Sequence, residues 1–218
     1  MTGARSDLHG GLQSAMAKKA PRSRSVAAPE QIRLAAIRLF SERGYHGTSM
    51  RHLATAVQLE PASLYYHFET KQQILFELLR RTMEDMLDGV TRVLVDGASV
   101  RQQLAAVVRF HVVFHVQRQE EAFVSHTELR ALEPAHRDAI VALRDQYQSV
   151  VCRVLSAGVE QGAFNIDDVR LMATAILTLT SGVADWFGTA GRLNGEQVAQ
   201  QYVALVMRMV QCAPAQGG

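Results

Sequence analysis

Apolar residues recur along the chain with the spacing of amphipathic α-helices. From Pro29 onward they fall at positions i, i+3, i+4, i+7 and i+8, which places them on one face of a helix. These residues are Ile32, Ala35, Ala36, Leu39 and Phe40. No stretch alternates apolar and polar residues as a half-buried strand does, and no internal repeat of about 20 to 50 residues is present. The pattern predicts an all-α fold, with a first helix that ends near Gly44.

Two short helices are predicted after this one. Thr48 is a suitable N-cap for a helix over residues 49–57, whose apolar period stops at Gln58. Pro61 favours the first position of a third helix over residues 61–68, because its missing N–H would have no partner there. Three short helices with a tight turn between the last two predict a helix-turn-helix unit, whose last helix can enter a major groove of DNA.

A longer fourth helix is predicted from Lys71 to Val93 and would join this head to the rest of the chain. Further amphipathic helices are predicted near residues 98–118, 120–132, 135–162, 167–189 and 194–211. Asn194 is the expected N-cap of the last helix, and Gly162 and Gly191 are expected to stop the helices before them.

The predicted organisation has three parts: a flexible basic arm over residues 1–28, a helix-turn-helix DNA-binding head over 29–72, and a helical effector-binding and dimerisation domain over 73–218. The first 71 residues carry ten Lys or Arg and five Asp or Glu, whereas the other 147 carry thirteen and sixteen. A basic head on a mildly acidic body suits a nucleic-acid-binding protein. The arm is expected either to reach into DNA beside the head or to act as a solubilising tail.

Composition argues against several protein classes. Hydrophobic residues make up 48% of the chain and charged residues 20%, with no apolar run near the roughly 20 residues that span a bilayer. The N-terminus lacks the apolar core of a secretory signal, and Cys152 and Cys212 have neither metal-ligand nor disulfide spacing. We therefore expect a soluble, cytoplasmic protein without a membrane partner.

The third predicted helix carries side chains suited to DNA. Leu64 and Phe68 are four residues apart and face inward. Tyr65, Tyr66 and His67 then project outward, where hydroxyl and imidazole groups are suitable donors to phosphate. Two exposed aromatic rings on a short helix need a partner. The alternative is that both tyrosines pack between the head and the body.

Two basic residues lie on either side of this helix in the sequence. Arg51, on the outer side of the second helix, could bind a guanine edge through two hydrogen bonds. Lys71 could complete a clamp on the DNA backbone. The head therefore has groups suited to reading bases and to holding phosphates.

The stretch from Ala35 to Leu75 resembles the DNA-binding head of the tetracycline-repressor (TetR) family. The resemblance rests on spaced positions and one rare string, namely Phe40, Gly44, Thr48, Leu53, Ala54, Leu64-Tyr65-Tyr66-His67-Phe68 and Lys71. It implies a homodimer whose heads bind successive major grooves of a palindromic, double-stranded operator, with ligand binding in the body spreading or tilting the heads. It also implies phosphate contacts by Thr48, Tyr65, His67 and Lys71, and base contacts by Arg51, Pro61, Ala62 and Ser63.

Two positions of the head depart from the family pattern. Gln58 stands where the family usually has the glycine of the turn. If the φ of Gln58 is positive, the side chain lowers the stability of the fold by roughly 1 kcal/mol. Glu60 stands where a capping serine is usual. Its charge suits the helix dipole but would lie near DNA phosphates, so affinity or sequence preference is expected to differ from the common pattern.

Three segments of the body resemble a TetR subgroup that regulates lipid, steroid or branched-chain acid catabolism. They are Gly162-Ala163-Phe164-Asn165, Gly182-Val183-Ala184-Asp185-Trp186-Phe187 and Gly195-Glu196-Gln197-Val198. Members of that subgroup typically sense acyl-CoA thioesters. The resemblance therefore implies a small hydrophobic effector, with an acyl-CoA as the candidate.

A pocket for such an effector would be largely apolar and would lie between body helices. The candidate lining residues are Phe110, His111, Phe114, Phe123, Tyr147 and Trp186, each of which could instead be ordinary core. His111 and His115 are four apart with His126 nearby, a spacing that can ligate a metal, but no clear third ligand is visible. We therefore predict no bound metal and no cofactor.

The last two predicted helices carry a broad apolar surface that needs a partner. It comprises Met172, Ile176, Leu179, Val183 and Trp186 on one helix, and Val198, Tyr202, Leu205 and Met209 on the other. In the TetR family such a pair forms a four-helix bundle with the same pair of a second chain, an isologous contact that suits a twofold-symmetric operator.

The sequence thus predicts a ligand-responsive transcriptional regulator, most simply a repressor, with no catalytic residues. A competing hypothesis is an enzyme acting on acyl thioesters through Cys152 or a histidine, but no Cys/His or Ser/His/Asp constellation is visible. A third is a TetR-like interaction module that does not bind an operator, which the departure at Glu60 leaves open.

Overall fold

The computed structural model describes residues 27–188 and 191–211, and every regular element in this part of the chain is helical. The helices are α1 (Ala27–Gly47), α2 (Met50–Ala56), α3 (Pro61–His67), α4 (Lys71–Val93), α5 (Val100–Gln117), α6 (Gln119–Thr127), α7 (Pro134–Glu160), α8 (Val169–Ser181), α9 (Val183–Trp186) and α10 (Gly195–Met209). The predicted all-α fold is confirmed. The basic arm, apart from residues 27 and 28, and Cys212 lie outside the described residues.

The head is built by α1, α2 and α3 around fully buried apolar side chains. Phe40 of α1, Leu53 of α2 and Leu64 of α3 have no exposed surface. Regular helical geometry in α1 is interrupted at Gly44, whose φ of 71° and ψ of 165° only glycine adopts readily. The predicted end of the first helix therefore coincides with this kink.

The predicted cap of α2 is wrong by one residue. The hydroxyl of Ser49, not that of Thr48, accepts a hydrogen bond from the backbone N–H of His52 over 3.2 Å. Thr48 is buried, and its hydroxyl donates towards the carbonyl oxygens of Leu39 at 3.1 Å and Gly44 at 3.0 Å. A buried hydroxyl must find a partner, and here that partner is the end of α1.

The turn between α2 and α3 depends on a left-handed residue. Gln58 has a φ of 55° and is the single non-glycine residue of the described chain with a positive φ. This conformation lets the backbone N–H of Leu59 bond to the carbonyl of Ala54 over 2.9 Å, which closes α2 and directs the chain towards Pro61.

The body packs around α4, whose residues Leu75, Leu78 and Leu79 are fully buried. This helix contacts α1 of the head and α5, α6 and α7 of the body. α10 lies along α5, and its predicted N-cap is confirmed because the side chain of Asn194 accepts the N–H of Gln197 over 2.9 Å. Gly162, with a φ of 66°, follows the end of α7 as expected.

Two predicted helices are interrupted in the structure. The helix expected over residues 120–132 ends at Thr127, and a separate 3₁₀ turn over Leu129–Ala131 follows. The helix expected over 167–189 is divided at Gly182 into α8 and α9. Apolar periodicity continues across such breaks, so a pattern of buried positions alone does not reveal them. None of the described helices is long and apolar enough to cross a membrane.

Replacing Gln58 by glycine is expected to raise the free energy of unfolding by about 1 kcal/mol, because the Cβ that crowds the left-handed conformation is removed. Denaturant unfolding followed by circular dichroism measures this. Gln58→Ala is the matched control, which keeps the Cβ and should give no such gain. Equal stabilisation by both substitutions would show that the backbone conformation is not the cause.

Candidate DNA-binding surface and internal cavity

α3 presents most of its surface to solvent. Tyr66 is 78% exposed and Tyr65 51% exposed, while Leu64 holds the helix to the head from its buried side. Pro61, Ala62 and Ser63 are also exposed at the start of the helix. The alternative in which both tyrosines pack between head and body is therefore wrong, and α3 has an uncovered polar and aromatic face.

Two more predicted DNA-binding residues accompany this face. Arg51 is exposed in the first turn of α2. His67, at the end of α3, is half-buried and its ring stands edge-on to that of Tyr66, with centroids 5.4 Å apart. Glu60 is the N-cap residue of α3 but makes no side-chain capping hydrogen bond, in keeping with its departure from a capping serine.

Lys71 and Thr48 serve the interior of the head rather than its surface. The Nζ atom of Lys71 donates to the carbonyl oxygens of Tyr45 at 2.6 Å and Thr48 at 2.5 Å, and lies 4.0 Å from the centre of the Tyr45 ring. Burial lowers the pKa of Lys71. The bonds of Lys71 tie the start of α4 to the segment between α1 and α2, and the hydroxyl of Thr48 is directed inward, so the predicted phosphate contacts of both side chains do not agree with this geometry.

A cavity of about 560 Å³ lies inside the body, between α4, α5, α6, α7 and α8. Its apolar lining includes Met83, Met86, Ala122 and Leu177. Of the six residues predicted to line a pocket, His111, Phe114 and Tyr147 do so. The cavity reaches the surface beside exposed residues of α7, α8 and α9, which are Asp145, Thr174, Thr178 and Asp185.

The other three predicted lining residues lie elsewhere. Phe110 packs on α4 at Gly89, where an added Cβ would stand 2.2 Å from Cζ of the ring. Phe123 is 41% exposed and borders a second depression between head and body, and Trp186 is 59% exposed with its ring stacked on Tyr202. Their positions on the helices turn these rings away from the cavity, although their residue types suit a pocket.

His111 is buried at the centre of a hydrogen-bonded triad. Its Nδ1 lies 3.0 Å from the hydroxyl of Tyr147 and its Nε2 lies 2.9 Å from Oγ of Ser181. Burial, with the nearby histidines, holds the pKa of His111 well below its usual value, so the ring is neutral. Because both ring nitrogens already have partners, this histidine has no free atom to offer a metal.

Two further histidines extend the wall that His111 begins. The ring of His115 stacks 4.3 Å from that of His111 and 5.8 Å from that of His126. Nδ1 of His115 donates to the backbone carbonyl of His111 over 2.9 Å, and burial lowers the pKa of His115 to about 4. This wall is polar but uncharged at neutral pH. The i, i+4 spacing of His111 and His115 was its only signal in the sequence.

Sequence reasoning missed two other polar residues of the cavity. Ser125 is only 7% exposed, and its hydroxyl has no hydrogen-bond partner among the described residues. Arg144 donates from Nη2 to the backbone carbonyl of Ser125 over 2.7 Å. A signal was available for Arg144, since it lies three residues from Tyr147, which was predicted to line the pocket. Ser125 had no such signal, because its neighbour in the lining, Ala122, was not predicted.

α6 lies between the cavity and the head. Ala122, Ser125 and His126 of this helix line the cavity. Glu121 on the same helix is buried and accepts a hydrogen bond from Arg33 of α1 over 3.2 Å. One short helix therefore contacts both the cavity and the head.

Further ion pairs reinforce this junction. Arg33 also binds Glu30 at 2.7 Å, and Glu30 binds Arg81 of α4 at 2.9 Å. Arg118, just before α6, binds Asp85 of α4 at 2.5 Å. The side-chain hydrogen bond from Arg33 lowers the pKa of Glu30. The pairs thus join α1, α4 and α6.

The predicted dimerisation residues fall into three groups. Leu179 and Leu205 are exposed, whereas Met172, Tyr202 and Met209 are half-buried. The other three, Ile176, Val183 and Val198, are buried within the protomer and are corrected to core positions. Their helices pack on the chain's own α5, which uses up part of the apolar surface. Trp186, also on the predicted apolar surface, is exposed on α9, and Leu171 adds exposed apolar surface on α8.

Comparison with known proteins relates both parts of the chain to one family. The profile described as "Bacterial regulatory proteins, tetR family" matches residues 32–78, and the profile described as "Tetracyclin repressor-like, C-terminal domain" matches residues 97–210. The HTH-type transcriptional repressor KstR2 of Mycobacterium tuberculosis is 32% identical over 183 residues, which cover 82% of this chain and 90% of that protein.

Two solved structures share the fold over most of their length. A bacterial regulatory protein of the tetR family from Rhodococcus RHA1 superposes with a TM-score of 0.82 and 30% identity, covering 87% of this chain and all of the other. AibR, solved in complex with isovaleryl coenzyme A and operator DNA, superposes with a TM-score of 0.74 and 29% identity, covering 81% of this chain and 96% of AibR. The C-terminal family profile alone matches just over half of the sequence, and the N-terminal profile matches the head. This chain therefore belongs to the TetR family of bacterial regulatory proteins.

Proposed function

We propose that this protein is a transcriptional repressor that binds operator DNA as a homodimer and releases it when a small hydrophobic effector, with an acyl-CoA thioester as the candidate, enters the cavity. The observation that carries the proposal is that α6 lines the cavity and binds the head through Glu121. Two relatives point the same way, since KstR2 is named a repressor and AibR was solved with an acyl-CoA and operator DNA.

The DNA-binding surface of this proposal comprises Arg51, Pro61, Ala62, Ser63, Tyr65, Tyr66 and His67. All of them except the half-buried His67 are exposed, which supports the assignment, because side chains that contact base edges and phosphates must be free of the protein interior. Lys71 and Thr48 act indirectly, by bracing the segment before α2 against α4. We retain residues 29–72 as the head and 73–218 as the effector-binding and dimerisation domain.

An exposed apolar surface supports the homodimer. Leu171, Leu179, Trp186 and Leu205 are large apolar residues with substantial exposure on the last three helices. Several large apolar side chains exposed on the last three helices favour an interaction site there, and a second copy would cover them in a twofold arrangement. A twofold dimer would in turn present two copies of α3 to a palindromic operator.

We assign the protein no catalytic role. Cys152 is half-buried, and burial raises its pKa, which disfavours the thiolate that a nucleophile requires. The two ring nitrogens of His111 are engaged by Tyr147 and Ser181. Neither residue is therefore placed to attack a thioester.

The first test is a fluorescence-anisotropy titration of a DNA fragment from upstream of the protein's own gene, at fixed salt, with and without isovaleryl-CoA and longer acyl-CoA thioesters. We expect one thioester to weaken specific binding by about 5- to 150-fold, the usual range of allosteric coupling. Specific binding that no thioester alters would rule out this effector class. Binding no tighter than to random DNA would contradict the repressor itself.

Arg51→Ala and Tyr65→Phe are expected to weaken DNA binding in different ways. Loss of a guanidinium at a base edge should relax preference at one base pair by about 1–3 kcal/mol. Loss of a hydroxyl bonded to phosphate should weaken all sequences equally, by up to about tenfold. Titrations against the operator and its single-base variants separate the two results.

Arg92→Ala is the charge control for these variants, since Arg92 is exposed in the last turn of α4, about 30 Å along the helix from Lys71. It should leave the titrations unchanged. If Arg51→Ala lowered affinity for every sequence to the same extent, the proposed base contact would be wrong.

Glu121→Gln should reduce communication between cavity and head, because it removes the charge that Arg33 binds. We expect effector binding to stay within about twofold, while the effect of the effector on DNA affinity changes by about 0.5–2 kcal/mol. Calorimetry with the effector and anisotropy with DNA measure the two quantities separately. Glu84→Gln, which breaks an exposed ion pair with Arg80 inside α4, is the control. An unchanged response in Glu121→Gln would exclude α6 as the route.

A further inference from the structure

One wall of the cavity carries a positive charge that forms no ion pair with a carboxylate of the described residues. Arg144 projects from α7 into the lining, and none of the ion pairs among the described residues includes it. Its one hydrogen bond in the described structure goes from Nη2 to the carbonyl of Ser125. A guanidinium has five N–H donors and stays protonated in proteins, so several donors and the charge remain available.

A second, independent observation lies beside it. The hydroxyl of Ser125 is more than nine-tenths buried, lines the same cavity and has no hydrogen-bond partner in the part of the chain that the structure describes. Buried hydroxyl groups in folded proteins nearly always have a partner, and those that do not require an explanation. A ligand oxygen in the cavity would satisfy the hydroxyl and the guanidinium together.

The other polar groups of the cavity do not take this role. His115 and His126 next to the guanidinium have pKa values lowered by burial, so they are neutral and do not compete for an anion by charge. Asp145 and Asp185 also line the cavity but are exposed at its mouth. Negative charge is thus disfavoured at the entrance and favoured at Arg144.

The rest of the lining sets the remaining chemistry of the ligand. Met83, Met86, Phe114 and Leu177 give the cavity a largely apolar surface. A volume of about 560 Å³ falls within the usual range of small-molecule sites. The cavity therefore suits an amphipathic molecule that joins an apolar body to one anionic group.

We propose that Arg144 and Ser125 form an anion-binding subsite of the effector cavity, which binds a carboxylate or phosphate oxygen of a ligand whose remainder is apolar. This inference rests on the proposed function only in taking the cavity as the effector site. Two sources share the chemistry: the carboxylate of a free acid and a phosphate of an acyl-CoA.

Calorimetry on the full-length protein without DNA tests the subsite. The probes are dodecanoate, its methyl ester, dodecanoyl-CoA and coenzyme A alone. We expect at least one of the two apolar anions to bind at least tenfold more tightly than the methyl ester, and coenzyme A alone to bind weakly. Tight binding of dodecanoate would identify the carboxylate of a free acid as the anionic group. Tight binding of dodecanoyl-CoA without tight binding of dodecanoate would identify a phosphate of an acyl-CoA. The proposal would be overturned if the methyl ester bound as tightly as dodecanoate and dodecanoyl-CoA, or if no probe bound.

Substitutions then connect the anion to its residues. Arg144→Met should weaken the anionic probe at least tenfold and leave the methyl ester unchanged, and Arg144→Lys should recover part of the loss. Ser125→Ala should weaken the anion by a smaller factor. Arg153→Met, an exposed arginine on the same helix, is the control. Equal losses for anion and ester would show that Arg144 merely tethers α6, and would overturn the proposal.

The same samples distinguish failure of this subsite from failure of the proposed function. An anionic probe that binds through Arg144 but does not alter DNA affinity would support the subsite and contradict effector-driven release. Release of DNA by a probe whose binding is indifferent to Arg144→Met would support the repressor and overturn the subsite.

Discussion

Glu121 is the buried carboxylate through which α6 is tied to the head, with Arg33 of α1 bound to one oxygen and Arg118 close to the other. Removing such a group from water costs free energy that one partner seldom offsets, so a buried ion pair does more to fix geometry than to add stability. Here it fixes a helix of nine residues with little regular apolar pattern. The position of one cavity wall relative to the DNA-binding surface depends on this contact.

The polar side chains of the head and those of the cavity differ in how fully the described residues satisfy them. In the head, Thr48 and Lys71 donate hydrogen bonds to carbonyls around the kink at Gly44, and these bonds hold the segment before α2 to α1 and α4. In the cavity, the hydroxyl of Ser125 has no partner and the charge of Arg144 has no counter-ion among the residues that the structure describes. A rigid head suits a surface that must match a fixed DNA geometry, whereas unsatisfied groups suit a site that awaits a ligand.

Local patterns of the sequence predicted several features of the fold well, because each signal depends on neighbouring residues. The inward side of α3 follows from Leu64, the start of α10 follows from Asn194, and a strained turn follows from a non-glycine residue at position 58. Such features need no knowledge of distant parts of the chain. The breaks at Gly182 and after Thr127 were missed because apolar periodicity continues across them.

The cavity was predicted only in part, since lining depends on how separate helices face one another. Phe110 and His111 are adjacent in α5, yet the first packs on Gly89 and the second lines the cavity. Ile176 on α8 is apolar and was predicted to face a second chain, but it is buried in the protomer's own core. Composition identifies which residues suit a pocket or an interface, and only the packing of α4, α5 and α8 decides which of them reach it.

The bond from Arg144 to the carbonyl of Ser125 gives the subsite and α6 a common element. The donors of a guanidinium are fixed in one plane, so an anion that aligns with some of them constrains the others. A ligand anion at Arg144 would therefore favour some positions of the Ser125 carbonyl over others. Since Ser125 and Glu121 lie one turn apart on α6, that preference would extend to the contact with Arg33. An effector can shift the protein between two states only by binding one of them more tightly, and this chain of three polar contacts supplies a physical difference between such states.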